Sequence, residues 1–140
     1  MGHLLAENEV KNTYGTGSFI LMNIGKTPKI SKYGLLTTLL YTSNCNTKEA
    51  YYAFEGAIET AGVVINWLKK NLQLFEEFSE LKNLFESVDS SGGIIFVPAF
   101  SGLYSPYWDD TATGSIFWLS MQTKKGHIVR ASYDAISLRT

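Results

Sequence analysis

The most informative part of the sequence is residues 11–19, which read Lys-Asn-Thr-Tyr-Gly-Thr-Gly-Ser-Phe. A β-prone run enters the Gly-Thr-Gly turn and an apolar run leaves it, so we predict a β-hairpin over residues 13–22. Gly15 and Gly17 allow backbone angles that other residues resist, and they leave room for a ligand beside the backbone N–H groups. Thr16 adds a hydroxyl at the tip. The turn therefore suits a phosphate group, although most Gly-x-Gly hairpins only turn the chain.

Four further short runs predict β-strands. Residues 35–41 are β-branched and apolar, and residues 51–54 form a third short run of the same kind. Residues 94–97 are continuously apolar between Gly93 and Pro98, a pattern that predicts a strand buried on both faces. Residues 114–119 predict one more strand.

Three segments predict helices. Apolar residues recur at the helical period from Ile58 to Leu68, and Lys69-Lys70 suits the negative end of the helix dipole. A second amphipathic helix is predicted from Phe75 to Phe85. Its acidic cluster of glutamates at 76, 77 and 80 favours a solvated helix face over a metal site. Residues 125–140 predict a third helix.

Bulk properties exclude several classes of protein. The chain has 140 residues, 45% hydrophobic and 18% charged, which is typical of a globular core and not of a disordered segment. A net charge of −1 without a basic run disfavours nucleic acid and anionic membranes as partners. The single cysteine, Cys45, forms no internal disulfide, and no secretory signal is visible. We therefore expect a cytoplasmic protein.

A second string, at residues 97–109, reads Val-Pro-Ala-Phe-Ser-Gly-Leu-Tyr-Ser-Pro-Tyr-Trp-Asp. Together with residues 11–17 it resembles the FGGY carbohydrate kinases, and the two strings point to the glycerol branch of that family. The resemblance covers nearly the whole chain. Further matching segments are Gly34-Leu35-Leu36-Thr37-Thr38, Phe54-Glu55-Gly56, Ala61-Gly62 with Trp67-Leu68, and His127-Ile128 with Ala131.

This resemblance implies an α/β fold. Residues 1–140 would form part of a C-terminal nucleotide-binding domain of the ribonuclease-H-like, actin-type ATPase kind. The expected architecture is a mixed sheet with flanking helices, truncated at both ends, so that a strand edge and an apolar face are uncovered. The implied activity is transfer of the γ-phosphate of ATP to glycerol, giving glycerol 3-phosphate, with Mg²⁺ required. A homo-oligomer is possible.

The resemblance also implies the site residues. The positions matching the family's nucleotide contacts are Gly15, Thr16, Gly17, Gly62 and Asn66. Gly62 and Asn66 would share one helix face, although close packing of helix on sheet would use Gly62 equally well. Relatives commonly carry glutamine or arginine at the position of Asn66. Phe19 falls where the family lines its glycerol pocket, with packing in the core as the alternative.

The loop after residue 97 offers further candidates, each with a structural alternative. Tyr107 and Trp108 suit ligand stacking, but we expect them to anchor the loop by burying area. Asp109 suits a carboxylate base, but a turn-forming aspartate is favoured. His127 is expected to cap a helix, and His3 has no role that the sequence indicates.

Some features depart from the family pattern. The family's catalytic aspartate lies in a Gly-Asp-Gln segment shortly before the position of Lys11, and these 140 residues do not contain that segment. We therefore assign no catalytic residue and expect no kinase activity from this chain alone. Trp118 replaces a glycine, Thr113 an arginine and Asp134 a glutamate. A non-catalytic, diverged relative acting as a binding module, or a kinase for another polyol or sugar, stays open.

Overall fold

A computed structural model describes residues 4–42 and 49–139. Cys45 and His3 lie outside the described residues. The elements in chain order are β1 (Val10–Tyr14), β2 (Ser18–Gly25), β3 (Leu36–Thr42), β4 (Ala50–Ile58), α1 (Gly62–Lys70), α2 (Glu80–Glu86), β5 (Ile95–Val97), β6 (Ser115–Phe117) and α3 (Lys125–Leu138).

Four strands form one antiparallel sheet in the order β1-β2-β4-β3. The hairpin predicted from residues 13–22 is present, with Tyr14 opposite Ser18 at its closed end. On its other side, β2 pairs with β4 and brings Ser18 opposite Ile58. Because Ile58 pairs with Ser18, β4 ends beside the Gly-Thr-Gly turn, and the first helix begins close to that turn.

Ile58 was assigned to the first helix from its spacing, and this was wrong. It ends β4, because its backbone pairs with Ser18 in the ladder. Glu59, Thr60 and Ala61 then lead into α1 at Gly62. An apolar residue at this position fits the end of the strand and also the helical spacing of the residues that follow. Spacing alone therefore does not show whether it belongs to the strand or to the helix.

The second helix is shorter than its apolar spacing predicts. It covers only Glu80–Glu86, and both Phe75 and Phe78 precede it. The Glu80 carboxylate accepts hydrogen bonds from the backbone N–H groups of Glu76 and Glu77, at 3.0 and 2.6 Å. These bonds satisfy the N–H groups of Glu76 and Glu77 in a turn that precedes the helix. The helix therefore begins at Glu80 and not at Phe75.

β5 and β6 form a separate two-stranded antiparallel sheet. The prediction that residues 94–97 are buried on both faces was wrong, because Ile95 is 49% exposed. Ile95 lies opposite Phe117, which is also exposed, so one face of this pair is uncovered. Three apolar residues that follow β6 are exposed as well: Trp118, Leu119 and Met121.

Among the described residues, two hydrophobic clusters lie where the helices pack together and against β5. One contains Val64 and Phe96 with residues of α3, and the other contains Leu68, Phe75 and Val129. Three partly buried residues pack against both clusters: Ile65, Trp67 and Ile128. The third predicted helix is present as α3, and Ala131, Ala135 and Ile136 lie on its buried side.

The α/β class is confirmed, with helices packed beside strands. The expected mixed sheet is not seen in the described part of the chain. Every pairing among the named strands there is antiparallel, and a parallel bridge occurs only between Phe100 and Gly102. The strands that pair as β1-β2, β3-β4 and β5-β6 are consecutive in the chain, which favours antiparallel pairing. Among the described residues, no helix is long and apolar enough to cross a membrane.

Candidate functional site

The Gly-Thr-Gly turn is bonded directly to the start of α1. The backbone N–H of Gly62 donates to the carbonyl of Gly15 at 3.0 Å, and those of Ala61 and Val63 both donate to the carbonyl of Thr16 at 3.0 Å. Within the turn, the N–H of Gly15 donates to the carbonyl of Gly17 at 2.7 Å. Two regions far apart in sequence are therefore held as one backbone unit.

Gly17 and Gly62 are required by space and not by unusual backbone angles. The sequence predicts angles that other residues resist at Gly15 and Gly17, but neither has a positive φ, so this prediction is wrong. A Cβ at Gly17 would overlap the carbonyl oxygen of Ile58, and a Cβ at Gly62 would lie 2.5 Å from the carbonyl oxygen of Gly15. Gly62 is thus closely packed, against the turn and not against a strand of the sheet.

The hydrogen bonds between the turn and the start of α1 determine which backbone groups remain available to a ligand. Three N–H groups at the start of α1 are already bonded to carbonyls of the turn, so these groups do not form the anion site that a helix N-terminus often provides. Gly15 and Thr16 are exposed on the outer side of the turn. The outer side of the turn therefore presents the exposed backbone of Gly15 and the Thr16 side chain with its hydroxyl.

Asn66 and Phe19 lie on the two elements that meet at the turn. Asn66 is exposed one helical turn beyond Gly62, and its Nδ2 reaches the Gly62 carbonyl only at 3.5 Å. Phe19 on β2 is 48% exposed, so packing in the core does not explain it. The structure brings Gly62 against Gly15, and it leaves the side chains of Asn66 and Phe19 open to a ligand.

The loop after β5 is fastened to Gly34 by two side chains. Trp108 Nε1 and Ser105 Oγ both donate to the carbonyl of Gly34, at 2.8 and 3.2 Å. Gly34 has a φ of +74°, and a Cβ there would lie 2.7 Å from the carbonyl oxygen of Pro106. Anchoring by Trp108 is confirmed, but through a hydrogen bond and not through burial, since Trp108 is 48% and Tyr107 73% exposed.

A cavity of about 250 Å³ opens beside this loop. Its lining includes Tyr104 and Trp108, whose rings stack with centroids 6.0 Å apart, and Asp109. Asp109 accepts hydrogen bonds from the backbone N–H and the hydroxyl of Thr111, at 2.9 and 2.7 Å. These bonds hold the pKa of Asp109 below its ordinary value. The favoured assignment of Asp109 as a turn residue is confirmed.

His127 caps α3, as expected. Its Nδ1 accepts a hydrogen bond from the backbone N–H of Lys124 at 3.0 Å, which is one half of a capping box. In the ranges 4–42 and 49–139, no group of three or more histidine, cysteine, aspartate or glutamate side chains could hold a metal ion.

Sequence reasoning missed a buried hydrogen-bond chain next to the turn. The Thr60 hydroxyl donates to the carbonyl of Pro98 and accepts from Nη1 of Arg139, both at 2.7 Å. Burial lowers the pKa of Arg139, and the charge of Glu59 opposes that shift. Thr60 and Arg139 are 79 positions apart, so no local pattern could have linked them.

Trp118 adopts a backbone conformation that favours glycine. Its φ is +61°, and its side chain is 68% exposed. The resemblance expected a glycine here, and the positive φ gives the physical reason, because a side chain strains this conformation.

The fold and the turn against α1 together define a class of protein. The model of the FGGY family of carbohydrate kinases, C-terminal domain, matches residues 10–140. The chain therefore belongs to the FGGY family of carbohydrate kinases, whose C-terminal domain has the ribonuclease-H-like, actin-type ATPase fold.

Within that family the chain is similar to glycerol kinases. It is 51% identical over 130 residues to the glycerol kinase of Rhizorhabdus wittichii and 43% identical over 134 residues to that of Limosilactobacillus reuteri, covering 93% and 96% of this chain. The crystal structure of Plasmodium falciparum glycerol kinase with ADP superposes with a TM-score of 0.82 at 42% identity over 97% of this chain. The chain spans about a quarter of the length of these relatives, 25%, 26% and 26% respectively.

Proposed function

We propose that this chain is the nucleotide-binding portion of an ATP-dependent glycerol kinase, which transfers the γ-phosphate of ATP to glycerol. The observation that carries the proposal is the turn at Gly15–Gly17, bonded to the start of α1 with Thr16 exposed. The likeness to a glycerol kinase structure with ADP supports a nucleotide as the ligand. The single cysteine agrees with a cytoplasmic location.

In this proposal, the hydroxyl of exposed Thr16 contacts the phosphate chain of the nucleotide, exposed Gly15 leaves room beside it, and buried Gly17 shapes the turn. Gly62 supports the turn from behind, since its N–H donates to Gly15. Asn66 borders the nucleotide on the exposed face of α1, and Phe19, which is 48% exposed, lines the glycerol pocket. Binding and orientation are therefore the contribution of these residues.

Phosphoryl transfer needs more than a phosphate cradle. The acceptor hydroxyl must lie in line with the γ-phosphate, a base must lie within hydrogen-bond reach of that hydroxyl, and Mg²⁺ supplies charge neutralisation when bound. Asp109 is not assigned as the base, because both of its bonds from Thr111 hold it in a turn. We propose that the base and most glycerol contacts belong to the part of the enzyme that corresponds to the rest of the relatives' length.

Isothermal titration calorimetry of the full 140-residue chain with ADP tests the phosphate contact. Thr16→Val removes the hydroxyl and keeps the shape, and we expect about tenfold weaker binding, because a hydrogen bond to a charged group contributes about 1.5–3 kcal/mol. Thr13→Val is the matched control, since Thr13 is an exposed residue of the same hairpin away from the tip. Equal affinity for ADP in the wild type and Thr16→Val would remove Thr16 from the site.

The lack of turnover by the chain alone is tested by an assay that couples ADP release to a spectroscopic signal. We expect no glycerol-dependent turnover by the purified 140 residues. Glycerol-dependent turnover above the level of a Thr16→Val sample would show that these residues hold a complete kinase, and the proposal of a portion would then fail. Glycerol, other polyols and sugars, tested on an enzyme of the relatives' full length, separate the glycerol kinase from a kinase for another acceptor.

A non-catalytic, diverged relative is the second candidate, and Trp118 is the observation that favours it. A residue with φ of +61° where the family expects glycine carries strain that a conserved active enzyme would not need. An upstream coding sequence in frame that includes Gly-Asp-Gln would contradict this candidate and support the kinase.

A further inference from the structure

The chain contains a buried hydroxyl whose position is tied to the candidate phosphate turn. Thr60 is 3% exposed and lies between β4 and α1. Its hydroxyl has two partners, the carbonyl of Pro98 at the end of β5 and the guanidinium of Arg139 at the end of α3. One side chain thus joins three elements.

The residues on both sides of Thr60 make the backbone contacts that hold the turn. The N–H of Ala61 donates to the carbonyl of Thr16, and the N–H of Gly62 donates to that of Gly15. Before Thr60, the carbonyls of Ile58 and Glu59 lie where a Cβ of Gly17 would be. Any shift of this segment therefore displaces the turn, because there is no free space between them.

From these contacts we propose that Thr60 is a positioning residue for the Gly15–Gly17 turn and that Arg139 secures Thr60 from the end of α3. The proposal rests on the proposed function in that the turn binds the nucleotide phosphates. Thr60 touches no ligand itself; it fixes the segment that carries Ala61 and Gly62. A hydrogen-bonded route thus connects the end of α3 to the side of the turn that faces α1.

Two titratable side chains, Glu59 and Tyr107, act electrostatically on the guanidinium of Arg139. Glu59 directly precedes Thr60, and its Oε2 is buried without a hydrogen-bond partner among the described atoms. The charge of Glu59 favours the charged form of the guanidinium that bonds to Thr60. Arg139 is therefore the second point at which the route can be cut, and its substitution leaves the Thr60–Pro98 bond in place.

The test uses the full chain with Thr60→Val, Thr60→Ser and Arg139→Met. Valine keeps the volume of threonine without its hydroxyl, and serine keeps the hydroxyl. We expect Thr60→Val to weaken ADP binding in calorimetry about fivefold, Arg139→Met about twofold to threefold, and Thr60→Ser less than twofold, in line with the loss of one or two hydrogen bonds. Rescue by serine separates positioning from a loss of packing volume.

Amide hydrogen exchange by NMR provides a readout that does not depend on ADP. We expect faster exchange at Ala61, Gly62 and Val63 in Thr60→Val and in Arg139→Met, while the amides of the β3–β4 ladder keep their wild-type rates. Exchange that rises uniformly, or that is unchanged at these three amides, would overturn the positioning role. Local acceleration in a chain that binds no ADP would uphold positioning and refute the proposed function, so the two failures are distinguishable.

Discussion

The backbone N–H of Gly62 donates to the carbonyl of Gly15 at 3.0 Å, and a Cβ at Gly62 would lie 2.5 Å from that same oxygen. A hydrogen bond and a steric limit therefore act on the same carbonyl oxygen. The Gly15 carbonyl joins the candidate phosphate turn to the start of α1, and glycine at position 62 leaves room for this contact.

Gly62→Ala is expected to lower the free energy of unfolding by about 2 kcal/mol, because the added methyl group must displace the turn. The better helix propensity of alanine, about 1 kcal/mol, offsets only part of this cost. Gly15→Ala is the control, since the nearest atom to its Cβ would be 3.9 Å away. Urea denaturation measures both variants, and equal stability of the two would contradict the steric account.

Trp118→Gly is expected to stabilise the chain by about 1 kcal/mol, because a side chain at positive φ costs about 1–2 kcal/mol that glycine does not incur. Little packing is lost, since Trp118 is 68% exposed; the ring contact with Phe117, at 5.9 Å between centroids, is removed. The midpoint temperature of thermal unfolding, Tm, should rise by about 4 °C. Trp118→Ala keeps the strained φ and is the control; an equal gain in both variants would show that removal of the exposed ring is the cause.

Trp108→Phe and Ser105→Ala are expected to cost more together than the sum of their separate effects. Both side chains donate to the Gly34 carbonyl, so either single change leaves that oxygen one partner. Each single variant should lose about 0.5–1 kcal/mol of unfolding free energy, and the double variant leaves the oxygen without a side-chain donor. A double-mutant cycle by urea denaturation measures the coupling, and strict additivity would mean that the two bonds act independently.

Thr111→Val is expected to raise the pKa of Asp109 toward its ordinary value of 3.8, because the hydroxyl bond is the largest cause of the lowered pKa. A carboxyl group with a lowered pKa in the folded state contributes stability above its unfolded pKa, and this contribution is lost as the pH falls through the folded value. NMR titration of the Asp109 carboxyl carbon below pH 5 measures the shift. Thr113→Val is the control and should leave it unchanged, whereas an unchanged pKa in Thr111→Val would exclude the hydroxyl bond as the cause.

Local signals predicted the hairpin and α3 well. Glycines at a turn and apolar residues at the helical period determine local structure within a few positions of the chain. In the hairpin and in α3, the tertiary contacts favour the same local structure. The strand end at Ile58 was misassigned because its partner, Ser18, is 40 positions away and no spacing reveals it.

Contacts between distant segments account for the other differences. The reason for glycine at 17 is a neighbouring backbone, at Ile58, and not an unusual φ, so composition could name the residue without giving its cause. Thr60 belongs to no sequence motif. Its two hydrogen-bond partners are Pro98, directly after β5, and Arg139, at the end of α3. A buried hydroxyl of this kind becomes visible only when the fold brings its partners together.

The three side chains shared by the two core clusters, Ile65, Trp67 and Ile128, have a consequence for unfolding. Neither cluster can loosen without removing neighbours from the other, so the helical half should melt as one cooperative unit. The Trp67 ring, 5.0 Å from that of Phe100 and 5.9 Å from that of Phe96, lies at the boundary between the clusters. The fluorescence of Trp67 should therefore report the unfolding of both clusters in a single transition.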